Sequence, residues 1–189
     1  MKCKVLFILI FFLCLLKFPS AQTYISGVGV IPFDSVATSS YLPTSARISY
    51  SQALSKVNSF TRAGELPLTS ARMSGEYFLI DSVVFNIAVR PRTVNNEFSP
   101  LSKIRDTYRW MAAAGGDSED VSAIYYDNIS TYSNFEALIS YFKVSNSSSF
   151  IIQDTAGGYV CMGRIYHKVS DANTAHTLLT QILNSITFK

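Results

Sequence analysis

Three strand-like segments, joined by short turns and followed by a helix-like segment, constrain the fold of this chain most. Residues 135–144, 150–154 and 159–169 are rich in β-branched and aromatic side chains, which favour strands. Polar turns at 146–149 and 155–158 separate them. Loops this short join antiparallel hairpins, because parallel strands need a crossover of a dozen or more residues. The sequence therefore predicts an antiparallel sheet.

A helix pattern follows these strands directly, over residues 171–188. Asp171 is a good N-cap residue. Apolar side chains recur at the spacing of one helical face: Ala172, Ala175, Leu178, Leu179, Ile182 and Ile186. Burial of that face, at about 25 cal/mol per Å², is the main reason for the helix to be stable. Gly163 in the last strand indicates a close approach by a neighbour, most simply a helix.

Two further helices are predicted earlier in the chain. Residues 45–60 carry an apolar stripe that starts at Tyr50, and Ser49 or Ser45 could cap this helix. The second helix begins at Pro100, where the missing N–H costs nothing, and Gly115-Gly116 ends it.

Strand character extends over residues 77–90, which is long for one strand. Asp81-Ser82 indicates either a hairpin turn, which would divide the segment in two, or a bulge, and Pro91 ends the segment. A short strand is predicted at 121–126. This order of elements predicts an α+β fold with helices packed on an antiparallel sheet. We expect one domain over 45–189, preceded by an irregular lead-in at 22–44.

The first 21 residues have the pattern of a secretory signal peptide. Lys2 and Lys4 precede an apolar run of 12 residues, and small Ser20 and Ala21 close the segment. The run is shorter than the roughly 20 residues of a membrane-spanning helix. We expect cleavage after Ala21, a secreted or periplasmic product and no stable membrane span after cleavage. An uncleaved N-terminal anchor is the alternative.

Removal of the signal changes the charge of the chain. It takes three lysines from the 16 basic residues and leaves the 13 acidic residues unchanged, so the formal net charge falls from +3 to zero. A neutral domain has no general attraction to nucleic acid or acidic membranes. Arg90 and Arg92, which flank Pro91, are typical of an exposed strand end rather than a binding patch.

Cysteine usage agrees with export into a bacterial envelope. Only Cys161 remains after cleavage, so no intramolecular disulfide can form. Its apolar surroundings predict a buried, inert thiol, since a reactive thiol needs an exposed, electropositive setting. The sequons at Asn128 and Asn146 matter only in a host that glycosylates.

His167 and His176 are the candidate catalytic or metal-binding residues. Neither belongs to a recognisable metal spacing. His167, beside Lys168 on a strand, is predicted to be a partly exposed polar residue. The two could approach each other, but a metal site also needs a carboxylate or thiolate, and Asp171 is expected to cap its helix. We assign no catalytic, cofactor-binding or metal-binding residue and no cofactor.

Other motifs favour structural interpretations. An acidic cluster, Asp117, Glu119 and Asp120, lacks the alternation of a calcium loop. Gly157-Gly158 is a hairpin turn with no helix after it to bind phosphate. No Ser lies in a Gly-x-Ser-x-Gly elbow.

Aromatic side chains are the enrichment that could serve a surface. Trp110 lies off the stripe of its helix and is expected to cover a helix edge. The chain has 11 tyrosines, and Tyr125, Tyr126 and Tyr132 could sit near a sheet edge or groove. We favour the interpretation that they cover the sheet with their hydroxyls in water.

The last fifty-odd residues resemble the PsbP-like superfamily. The likeness runs from Phe135-Glu136-Ala137-Leu138, through the Gly163–Lys168 segment, to the ending Ser185-Ile186-Thr187-Phe188. It implies two long antiparallel strands, a glycine-containing final strand and an α/β/α sandwich, here in a secreted bacterial member. Members act mostly by binding, as photosystem subunits or nuclear-import partners, without a shared active site. The resemblance therefore transfers no functional residue.

The sequence favours a secreted, non-catalytic binding or accessory domain. Its partner would be a protein or a small apolar ligand. The alternatives are a hydrolase-like enzyme that uses His167 or His176 and a structural cell-envelope component. The sequence does not decide whether the chain is an enzyme, but it favours a protein that is not one.

Overall fold

The centre of the molecule is an antiparallel sheet of seven strands. The computed structural model describes residues 31–60, 75–92, 99–114, 125–143 and 145–189. The signal segment 1–21, the acidic cluster and Gly115-Gly116 lie outside these ranges. Within them, no helix is long and apolar enough to cross a membrane.

The main sheet has the strand order β2-β3-β4-β8-β7-β6-β5. Its strands are β2 (Arg47–Ile48), β3 (Glu76–Ile80), β4 (Val83–Pro91), β5 (Tyr125–Thr131), β6 (Phe135–Phe142), β7 (Ser147–Asp154) and β8 (Tyr159–Tyr166). A second, two-stranded sheet pairs β1 (Ala37–Thr38) with β9 (Thr187–Phe188). The helices are α1 (Phe33–Val36), α2 (Tyr50–Asn58), α3 (Leu101–Ala114) and α4 (Ala172–Ser185). The predicted α+β class with helices on an antiparallel sheet is confirmed.

The two faces of the sheet carry different helices. On β8, Cys161 and Ile165 pack in one cluster with α4, whereas Met162 lies in the cluster of α3 and Tyr166 in that of α2. Successive side chains of a strand point to opposite faces. We call the two sides the α4 face and the α2–α3 face.

The α4 face holds the largest core cluster. Ala175, Leu178, Leu179, Ile182 and Leu183 of α4 are buried against it. Helical periodicity predicts four of these five; Leu183 is additional, and the predicted Ala172 is only partly buried and lies outside the cluster. The helix ends at Ser185, earlier than predicted, because Ile186 is extended and Thr187–Phe188 pairs with β1. Phe33 and Val36, in the predicted lead-in, belong to the same cluster.

Gly163 allows strands β4 and β8 to approach closely. A Cβ atom at this position would overlap the Asn86 carbonyl and the Phe150 ring. The Phe85 and Phe150 rings stack with centroids 4.9 Å apart. The close approach is therefore present, but the closest neighbours are a strand carbonyl and a ring rather than the predicted helix.

Local signals at the strand and helix ends are mostly confirmed. Ser49 caps α2 in a capping box with Gln52. Asp81 adopts φ 53° in the turn that divides β3 from β4, as predicted. The predicted turn at 146–149 is wrong, because β7 begins at Ser147. Pairing of Ser147, Ser148 and Ser149 with β8 outweighs the low strand preference of serine.

Candidate functional site

A row of polar side chains crosses the α2–α3 face from strand to strand. Asn86 of β4 pairs with Arg164 of β8, and Arg164 pairs with Ser149 of β7. Ser149 pairs with Ser140 of β6, which pairs with Asp127 of β5. These five residues are directly opposite one another in register, so they form one continuous line, which we call the polar row.

The neighbouring row on the same face is apolar. It contains Met162, Ile151 and Leu138, which pair across β8, β7 and β6. They pack with Leu101 and Ile104 of α3. Helix α3 therefore lies over the apolar row and leaves the polar row at its side.

The polar row forms the floor of a groove. One cavity of about 410 Å³ is lined by Tyr108, Met111, Ala112, Tyr125, Ser140, Tyr141, Phe142, Ser145, Ser147, Ser149 and Arg164. A second cavity of about 200 Å³ shares Tyr108, Ser149 and Arg164 with the first and continues to Asn86, Arg90 and Tyr166. The small serines leave this space empty. We call the two adjoining cavities the groove.

Arg164 lies between two tyrosines at the point where the cavities adjoin. Burial raises the pKa of Tyr166, and the charge of Arg164 opposes that rise. The pKa of Tyr108 is raised by burial and lowered in part by the same charge. Both phenols therefore stay protonated near neutral pH and can donate or accept hydrogen bonds.

At the other end of the polar row, the charge of Asp127 is neutralised by an ion pair with Arg109. Arg109 of α3 donates to both carboxylate oxygens of Asp127, at 2.6 Å each. The Asp127 side chain is only 2% exposed, whereas that of Arg109 is 53% exposed. This two-pronged ion pair connects α3 to the outermost strand of the sheet.

The tyrosines divide between structural and surface positions. Tyr125 is buried at the groove wall, where burial raises the pKa of its phenol. Tyr126 is 41% exposed and stacks on Tyr141. Tyr132 stacks on Phe135. Our interpretation of all three as a cover of the sheet is wrong for Tyr125, because that side chain lines a cavity.

The two histidines meet on the opposite, α4 face. Their ring centroids lie 5.7 Å apart. His176 Nε2 is 2.8 Å from Ser148 Oγ, and its ring stacks on Tyr141. His167 is 1% exposed, so the prediction of partial exposure is wrong. Its Nδ1 lies 2.8 Å from the Lys168 carbonyl and must donate to it.

This histidine cluster has a serine–histidine contact but lacks the rest of a hydrolase site. Ser148 is fully buried, so no substrate can reach its hydroxyl. No carboxylate of the described residues hydrogen-bonds to either histidine. Asp171 occupies the N-cap position of α4 but makes no capping bond, contrary to expectation; it accepts from Ser170 instead. The described residues contain no group of three possible metal ligands.

The remaining sequence candidates include buried, exposed and groove-lining residues. Cys161 is buried, and burial raises the pKa of its thiol to about 12. Asp154 accepts from the backbone of Ala156 and Gly158 and so closes the 155–158 turn. Trp110 is 64% exposed. Arg90 is half-buried and lines the smaller cavity, which corrects our view of it as an exposed strand end.

The groove was missed at the sequence level because its floor comes from five strands. The sequence did contain a signal: Ser140 and Arg164 are polar positions within mostly apolar strands, and both line the larger cavity. No protein-family model and no curated protein matches this sequence.

Proposed function

We propose that the chain is an exported, non-catalytic binding domain that holds its ligand in the groove. One observation carries this proposal: in the middle of the polar row, Ser149 and Arg164 line both cavities of a groove beside α3. On the neighbouring row, by contrast, larger apolar side chains pack closely against α3. Cavities of several hundred Å³ with a few convergent polar groups are typical ligand sites.

Three further considerations support the proposal. The signal pattern at residues 1–21 favours export. The seven-stranded antiparallel sheet between helices agrees with the sandwich that the PsbP-like resemblance implies, and members of that superfamily mostly act by binding. The histidine cluster, the basis of the hydrolase alternative, has its serine buried and its imidazoles without a carboxylate partner among the described residues.

The proposal is tested by mapping ligands on the exported product. A library of small neutral and charged fragments is screened by two-dimensional NMR, and shifted amides are assigned. We expect fragments that shift Ser140, Ser149 and Arg164. Ser149→Tyr should abolish these shifts because it fills the groove. The exposed control Asn184→Tyr on α4 should preserve them. Hits that map only outside the groove would contradict the proposal.

Export is tested separately. N-terminal sequencing of the mature product should begin at Gln22. A product that starts at Met1 and sediments with membranes would favour the alternative of an anchored, structural envelope component.

A further inference from the structure

We propose that the groove recognises a small organic ligand by an oxyanion group, a carboxylate or a phosphate, that pairs with the Arg164 guanidinium. This inference rests on the proposed function and names the ligand class for the same groove. It extends the expectation of a small apolar ligand, because it adds a charged end to an apolar body.

The charge of the groove floor points to an anion. Arg164 lines both cavities, and no carboxylate of the described residues forms an ion pair with it. Asp127 stands on the same row, but its two oxygens are already taken by Arg109. Within the described residues, Arg164 is the charged side chain that lines both cavities, so the groove floor between them is positively charged.

The groups around Arg164 suit an oxyanion. A guanidinium donates two parallel hydrogen bonds to a carboxylate or phosphate. Ser149 is directly opposite Arg164 in the sheet, and its hydroxyl makes no hydrogen bond with a described residue. Tyr108 and Tyr166 line the smaller cavity together with Arg164, so their phenol hydroxyls can add hydrogen bonds to an oxyanion held there.

The larger cavity would hold the apolar body of the ligand. Met111, Ala112 and Phe142 line its wall. Phe142 is 44% exposed and Met111 36% exposed, so both present apolar surface that the described residues leave uncovered. A volume of about 410 Å³ suits a compact molecule with one aromatic ring or a short aliphatic chain.

The experiment compares three probes on the exported product by NMR titration at low ionic strength. They are 3-phenylpropionate, its neutral amide 3-phenylpropionamide, and phenyl phosphate. We expect at least one anion to bind about tenfold more tightly than the amide, with shifts at Ser149 and Arg164. The tighter of the two anions identifies the head group. The preference should shrink as salt is added.

Arg164→Gln should remove the preference for the anion, whereas Arg164→Lys should keep part of it because the charge remains. The matched control is Lys103→Gln, which deletes a charge from an exposed position on α3 and should leave the preference intact. Because Arg164 is exposed, its variants should fold, and their unfolding midpoints provide the check.

Three results would overturn the inference. Equal binding of the amide and both anions in the groove would refute anion recognition and leave the proposed binding function standing. If the preference for the anion persists in Arg164→Gln, a group other than Arg164 recognises the anion, and the inference is refuted. Failure of all three probes to shift groove residues would also refute it, and the fragment screen then decides the proposed function independently.

Discussion

At the scale of single residues, Gly163 is the position where the missing side chain matters most. The Phe85 and Phe150 rings stack across the α4 face, and Phe150 pairs directly with Gly163. The Asn86 carbonyl closes the same space from β4. The Asn86 backbone and the packed Phe150 ring leave no room for a methyl group at this position, and neither can move without disturbing the sheet or the core.

We expect Gly163→Ala to lower the free energy of unfolding by about 3 kcal/mol, the upper end of the usual cost of overpacking. Urea denaturation measures this loss. Gly158→Ala is the matched control: its Cβ would lie 3.3 Å from an Asp154 carboxylate oxygen, which belongs to a side chain that can move. The control should lose less than about 1 kcal/mol. Equal losses would contradict the packing argument.

His176 makes stability depend on pH. Burial, and secondly the neighbouring His167, lower its pKa below 6.5. The groups that face it are His167, the Tyr141 ring and the Ser148 hydroxyl. The unfolded chain binds the proton more readily than the folded chain. Stability is therefore full above the unfolded pKa of 6.5 and falls as pH drops toward the folded pKa.

We expect the urea midpoint of the wild type to decrease as pH is lowered from about 7.5 to about 5. His176→Phe keeps a ring against Tyr141 and removes the titrating group. Its midpoint should be lower at pH 7.5, because the Ser148 contact is lost, and should change less with pH. A variant with the same pH slope as the wild type would show that His176 is not responsible.

At the scale of helices and strands, packing of one amphipathic face accounts for α4. Leu179 is 1% exposed and Ile182 fully buried, whereas Gln181 is exposed. We expect Leu179→Ala to cost about 2–5 kcal/mol of unfolding free energy, from lost burial and the cavity left behind. Gln181→Ala should change it by less than about 0.5 kcal/mol. Thermal or urea unfolding compares the two variants, and similar losses would contradict the assigned face.

Elements that a local pattern specifies could be predicted from the sequence. Helical periodicity and a capping serine define α2, and Asp81 in its left-handed turn separates β3 from β4. The start of β7 could not be predicted, because its serines become a strand only through pairing with β8. The end of α4 likewise depends on a partner, β1, that lies at the other end of the described chain.

The groove could not be predicted from any local sequence pattern. The floor of the groove consists of residues from β4, β8, β7, β6 and β5, which the pairing register of these five strands brings into line. Sequence periodicity identifies Ser140 or Arg164 as polar, but cannot show that they stand side by side. By contrast, His167 and His176 are close in sequence, so their approach to each other could be predicted. They lie on the α4 face, on the other side of the sheet from the groove.

At the scale of the whole molecule, the groove exists because two separate helices cover different parts of the α2–α3 face. Helix α2 packs on Val84 and Tyr166, and α3 packs on Leu138 and Ile151. The Arg109–Asp127 pair fixes α3 to the outermost strand, β5, and so sets the wall of the groove. The pair therefore couples the packing of a helix to the shape of the candidate site.

We expect Arg109→Leu to destabilise the protein by about 1–3 kcal/mol, because it leaves the Asp127 carboxylate buried and unpaired. Adding Asp127→Asn should recover part of that loss, since a neutral amide is less costly to bury than a charge. Urea unfolding of the wild type, both single variants and the double variant measures the coupling. Amide exchange along α3 should accelerate in Arg109→Leu more than exchange along α4. If the double variant recovers nothing, or if the two helices exchange equally, the ion pair does not position α3, and the groove wall depends on apolar packing alone.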